Sequence, residues 1–261
     1  MSIAEQILRA KADYDAVHEA AYSEGIKAAR KAMWDGLLYS GERTNLNFAF
    51  YCPDESKPIW TDDTFDPPYD IRPEQANRMF RGFGVTNLPA LLKNLGDREL
   101  DFSNCTSMPY VFSNSESLKV CSKIVVNKNC KDLDHTFADC PILETIEIEL
   151  QEGCNTKWTS TFIRDSNLKN VTITGDWIRN SINLQWSKDL TVKSAQNIML
   201  QLYQDVDGQF LGRPTVKFAE EVWEKLDAQG HVVGEGCFDA MEDPGELLTW
   251  RDFLDFIGWS Y

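Results

Sequence analysis

Three stretches decide how this chain folds: TSMPYVFSNSESLKV (106–120), KDLDHTFADCPILETIEI (131–148) and TKWTSTFIRDSNLKNVTI (156–173). Laid over one another, they place Phe112, Phe137 and Phe162 at intervals of 25 residues. Leu118, Leu143 and Leu168 follow each Phe by six residues; Met108, Leu133 and Trp158 precede each by four. Cys105, Cys130 and Asn155 precede each by seven, and Ile146 and Ile148 align with Val171 and Ile173. A further copy, EQANRMFRGFGVTNLP (74–89), brings in Phe80, with Val85 and Leu88 close behind. Apolar columns that recur at one period indicate repeat packing. Each unit is too small to bury its apolar face alone, so neighbours stack and share a core. The runs LETIEIEL and LKNVTIT alternate apolar and polar residues and read as one short strand per unit. The stretch from Phe to Leu reads as the return side, with a helical or 3₁₀ turn. The Cys/Cys/Asn column suits a corner where a small polar side chain caps backbone groups.

One column has a different character. Arg78, Tyr110, His135 and Ser160 lie two residues before each Phe, and they form the candidate exposed column. His135 has no acid or nucleophile fixed beside it by spacing, so it reads as a surface residue rather than a catalytic one.

MFRGFGVTNLP, VFSNSESLKV, TFADCPILETIEI and TFIRDSNLKNVTI resemble the BspA-type leucine-rich repeats, which carry an aromatic, a small polar patch and then L-x-x-I-x-I. The resemblance covers residues 73–200. It departs at KVCSKIVV and in the 32-residue interval between Phe80 and Phe112. The leader KAMWDGLLYSGERTNLNFAF, followed by WTDDTFDPPYDI, is similar to that of repeat proteins encoded in phages and prophages of gut Firmicutes. The resemblance implies a phage-associated interaction protein, part of the particle. The fold expected from period and resemblance together is an α/β, right-handed leucine-rich-repeat solenoid with a long N-terminal helix and a helical C-terminal cap. Its repeat core is Phe80, Met108, Phe112, Leu118, Leu133, Phe137, Leu143, Ile146, Ile148, Trp158, Phe162, Leu168, Val171 and Ile173.

The flanks divide the rest. Residues 1–40 are alanine-rich, lack proline and read as a helix. Ile3, Ile7, Ala10, Tyr14, Val17 and Ala21 step by four and three along it, a short heptad seam for attachment or self-association. Residues 41–72 read as a capping segment anchored by Trp60, Phe65 and Tyr69; Asp62 and Asp63 there read as a solvated loop. Residues 201–261 read as a C-terminal cap and acidic tail. In the tail, Leu247, Trp250, Phe253, Leu254 and Ile257 line one helical face as a candidate docking patch.

Composition sets the remaining bounds. The 261 residues carry 26 Lys+Arg against 41 Asp+Glu, a net charge of −15. A field of that sign repels phosphate backbones, so no nucleic-acid partner is expected. No apolar run is long enough for a membrane span. The N-terminus lacks the basic-then-apolar pattern of a secretory signal. The seven cysteines contain no CxxC, which points to free buried thiols and neither disulfides nor metal. No nucleophile elbow, zinc-protease or P-loop motif occurs. The expectation is a non-enzymatic binding or structural protein without cofactor, made in the cytoplasm and assembled into a phage particle. It would be homo-oligomeric or particle-bound through its N-terminal helix, with a host-surface protein or glycan as a further partner. The alternatives are a bacterial cell-surface adhesin-like repeat protein and a glycan-active enzyme, which would need an opposed carboxylate pair.

Overall fold

The computed structural model describes residues 24–25, 28, 31–36, 38, 42–54, 56–158, 160–165, 167–203, 214–228 and 249–261. Its elements are α1 (Leu88–Asn94), β1 (Ile124–Val126), β2 (Thr145–Leu150), β3 (Asn170–Gly175), β4 (Ile182–Leu184), α2 (Val192–Leu200), β5 (Val216–Phe218), α3 (Glu220–Asp227) and α4 (Trp250–Phe256). All strand pairs among the described residues are parallel. The register places Ile146 beside Val171 and Ile148 beside Ile173.

The expected right-handed, BspA-like leucine-rich-repeat solenoid, with a long N-terminal helix and a helical C-terminal cap, is corrected by these elements. The strands are short and fall into two separate small sheets, β1-β2-β3 and β4-β5. The helices named above run only seven to nine residues. No long N-terminal helix lies among the described residues, where residues 24–25, 28, 31–36 and 38 are helical.

The chemistry of the chain explains the correction. The longer strands form where β-branched residues recur, in TIEIEL and NVTITG, and the others run only three residues. The first sheet then stops at β3, because α2 occupies the edge a fourth strand would need. Val171 donates its N–H to Ser194 Oγ at 3.0 Å, and Ile173 donates to Asn197 Oδ1 at 2.7 Å. Side chains thereby cap the open edge that would otherwise invite pairing. Thr191 caps α2 by accepting from the Ser194 N–H.

The core runs beneath these layers as a row of rings. Phe50, Phe80, Phe112, Phe137 and Phe162 stack in succession, with centroids 5.1, 5.2, 5.6 and 5.9 Å apart. The planes close from 16° to 1° along the row. Every repeat-core residue named above is buried. At the N-terminal end Trp34, Trp60 and Phe65 surround Phe50, and Trp34 donates its indole N–H to Asp66 at 2.9 Å. Segment 42–72 therefore shares one core with the layers that follow.

The corner-to-corner interval is 25 residues from Cys105 to Cys130 but 24 from Cys130 to Cys154, and one extra residue then separates Cys154 from Phe162. The N–H groups of Cys105, Cys130 and Cys154 each close the same turn, onto Phe102, Asn127 and Gln151. The column is thus Cys105, Cys130 and Cys154, with Asn155 one position outside it. Six cysteines are free and buried, and Cys237 lies outside the described residues. Burial pushes the Cys105 thiol up to about 12 and Cys154 to about 11, and raises Cys140 well above the ordinary thiol value. The thiolate is the reactive form. Native protein at pH 8 is therefore expected to leave Cys105, Cys121, Cys130, Cys140 and Cys154 unreacted with a thiol reagent, and denatured, unreduced protein to titrate all seven cysteines. Fewer than six thiols in the denatured sample would contradict the reduced state.

Candidate functional site

The site grows out of how each layer turns on its aromatic side. Phe80, Phe112 and Phe137 donate their N–H groups to Val111, Thr136 and Thr161 of the next layer, at 2.8 to 3.0 Å. The alternating N–H groups, such as those of Ser113 and Ala138, close tight turns back onto Tyr110 and His135. A pass built of successive turns needs left-handed residues, and it has two columns of them. One, two residues after each ring, is Gly82, Asn114, Asp139 and Arg164, with φ of 72°, 59°, 61° and 64°. Gly, Asn and Asp adopt this region readily.

The other column, two residues before each ring, is Phe48, Arg78, Tyr110 and His135, with φ of 59°, 52°, 59° and 58°. Phe, Arg and Tyr gain nothing from this backbone, and such residues cost of order 1–3 kcal/mol each unless their surroundings hold them there. What holds them is each other. The Arg78 guanidinium lies between two rings, 5.5 Å from Phe48 and 4.9 Å from Tyr110. Tyr110 stacks on His135 at 4.6 Å and 15°. Tyr51 meets the edge of Phe48, and Arg81 lies 6.0 Å over Tyr51. Phe48 is 46% exposed, and Arg78, Tyr110 and His135 are half-buried.

Electrostatics set Arg78 apart from the other stacked arginines. Arg179 covers Tyr203 and pairs with Asp176 at 2.7 Å; Arg251 covers Trp223 and Tyr261 and pairs with Asp227 at 3.6 Å. Arg78 has no ion pair among the described residues, and its buried Nε has no hydrogen-bond partner. Among the described residues, its charge is stabilised by ring faces. A sandwiched guanidinium is stiff, and its outer N–H groups form a planar fork suited to a carboxylate or phosphate.

Of the sequence-predicted site residues, the structure brings Arg78, Tyr110 and His135 into one stack. Ser160 is half-buried one layer further on and extends no ring contact. Phe48 completes the stack at the other end and was missed. Its signal is its place two residues before Phe50, hidden because Phe50 and Phe80 are 30 residues apart. In the tail, Trp250, Phe253, Leu254 and Ile257 are buried in the protein's own core. The tail's Trp259 is buried as well and donates its indole N–H to Tyr203 O at 2.8 Å. Leu247 and the seam residues Ile3, Ile7, Ala10, Tyr14, Val17 and Ala21 lie outside the described residues. Asp62 serves the backbone, accepting from the Thr86 N–H at 3.1 Å.

Among the described residues, no group of three His, Cys, Asp or Glu side chains is placed to hold a metal ion. No helix among them is long and apolar enough to cross a membrane. No protein-family model, curated protein or solved structure matches the chain.

Proposed function

We propose that this chain is a non-enzymatic binding protein, a structural component of a phage particle of tail, baseplate or head-decoration type, which displays a surface to a protein or host-surface partner. The observation that carries the binding role is the Phe48–Arg78–Tyr110–His135 stack: four side chains held in strained backbone, in register and at the surface, around a cation with no ion pair among the described residues. Nothing in the core requires these side chains. Large aromatic and arginine residues are the groups that dominate recognition surfaces. The particle assignment is supported by the leader WTDDTFDPPYDI and its resemblance to phage-encoded repeat proteins.

Attachment falls to the heptad seam from Ile3 to Ala21, which would meet sister copies or the particle. Trp34 belongs to the core, so a truncation must spare it. Deleting residues 1–23 is expected to leave the unfolding temperature within a few degrees of the full chain and to abolish self-association in light scattering or incorporation into particles. The paired change Phe48→Ala and Tyr110→Ala is expected to keep incorporation and lose partner binding. Partner binding unchanged in that variant would contradict the role given to the stack.

A further inference from the structure

We infer that the partner engaged by the stack is an acidic peptide segment, whose carboxylates are taken by the Arg78 fork. This inference rests on the binding role proposed above for the same four residues. The first reason is the geometry of the rings. Tyr110 and His135 lie nearly parallel at 4.6 Å, and Arg78 fills the space between Tyr110 and Phe48. The inner faces of these groups are therefore used on each other. A sugar ring binds aromatic residues through their open faces, and the outer face at Phe48 is the end of the stack. Along its side the column offers ring edges, which carry the positive end of the quadrupole. It also offers the N–H groups of Arg78, the hydroxyl of Tyr110 and the imidazole of His135. All of these favour an oxyanion.

The second reason is charge. The chain as a whole carries −15, yet this patch is centred on Arg78, which among the described residues lacks the carboxylate that accompanies Arg179 and Arg251. Asp134 lies two layers from Arg78, since the Arg78 N–H donates to Pro109 O and the Tyr110 N–H to Asp134 O, so the cationic centre is at the Arg78 end. A long polyanion would meet the repulsion of the whole surface. A short acidic peptide meets mainly the local field, because charges beyond about 10 Å are screened at ordinary salt. Bidentate capture by a guanidinium fixed between two rings adds direction to that attraction without the cost of ordering a mobile side chain.

The test is fluorescence anisotropy of the full chain with a labelled deca-glutamate peptide, starting at about 0.1 M salt, where charges beyond about 10 Å are screened. Deca-glutamine, inorganic phosphate and an oligogalacturonate serve as the comparison ligands. Deca-glutamate should bind and deca-glutamine should not, and binding should weaken as salt is raised. Arg78→Gln should weaken binding by about 10-fold or more, and Arg78→Lys, which keeps the charge and loses the fork, by several-fold. Unfolding temperatures of both variants, measured alongside, show that the layers remain intact. Equal affinity of the wild type and Arg78→Gln, or no binding of deca-glutamate, overturns the inference. If oligogalacturonate or phosphate binds through Arg78 and deca-glutamate does not, the acidic-peptide assignment falls and the binding surface stands. If no ligand depends on Arg78, and the Phe48→Ala/Tyr110→Ala variant also keeps its partner, both readings fall.

Discussion

Replacing Phe137 with alanine is expected to lower the unfolding free energy by about 3–5 kcal/mol, the range for removing a fully buried aromatic side chain. Phe137 is fully buried within the row of rings. It lies between Phe112 at 5.6 Å and Phe162 at 5.9 Å, with planes within 4° of both. Flanking rings held by their own layers' hydrogen bonds cannot slide together to fill the gap, so a cavity remains. Phe137→Leu keeps much of the volume and should cost distinctly less. Urea unfolding of both variants gives the difference directly, and hydrogen exchange should show lost protection at the Phe112 and Phe137 amides. A cost under about 1 kcal/mol for the alanine variant would mean that the ring row is not the core's main support.

The Asp165→Asn variant is expected to move stability the other way, and to do so with a pH signature. Asp165 is fully buried, and its Oδ1 accepts from the Cys140 N–H at 2.9 Å while Oδ2 has no partner. Ser115, one turn position after Phe112 as Asp165 is after Phe162, accepts from the Phe83 N–H and also donates to Phe80 O at 3.2 Å. A carboxylate can take only the accepting half of that role. Burial, reinforced by the nearby Asp139 carboxylate, raises the Asp165 carboxyl well above its ordinary value of 3.8. Asp139 is itself paired with Arg164 at 2.8 Å, and Cys140 is the other titratable neighbour, its thiol held neutral by burial. The sign follows from linkage. Because the native state holds this proton more tightly than the unfolded chain, the contribution of Asp165 is fully present below about pH 4. It is lost as pH rises through the elevated native value. Asparagine is neutral throughout and supplies a donor. The variant should match the wild type near pH 4 and exceed it at pH 8 by about 1–3 kcal/mol, the range for an unsatisfied buried polar group. Equal stabilities at both pH values would show that Asp165 is compensated as an ion.

How far the sequence can be read follows from the same residues. Phe112, Phe137 and Phe162 are legible because nothing intervenes between their layers. Phe80 and Phe50 belong to the same row, but α1 and the Trp60–Tyr69 segment lengthen their intervals to 32 and 30 residues. Asn155 aligned with two cysteines by count alone; one residue fewer before the corner, and one more between corner and ring, gives the place to Cys154. The extent of the sheet was not legible, since it is decided by Ser194 and Asn197 reaching across to β3, which no local pattern announces. The stack at Arg78, Tyr110 and His135 was legible as a column. Its chemistry was not, because left-handed backbone at Phe, Arg and Tyr runs against local preference and arises from packing between layers.

Hydroxyl-radical footprinting of the full chain, free and in its partner-bound or particle-assembled state, measures most directly whether this column is the working surface. Phe48, Tyr110 and His135 are expected to lose reactivity on engagement, while the exposed Ile59, Trp177 and Trp186 keep theirs. Unchanged reactivity at Phe48, Tyr110 and His135, with protection appearing at Trp177 and Trp186, would contradict it.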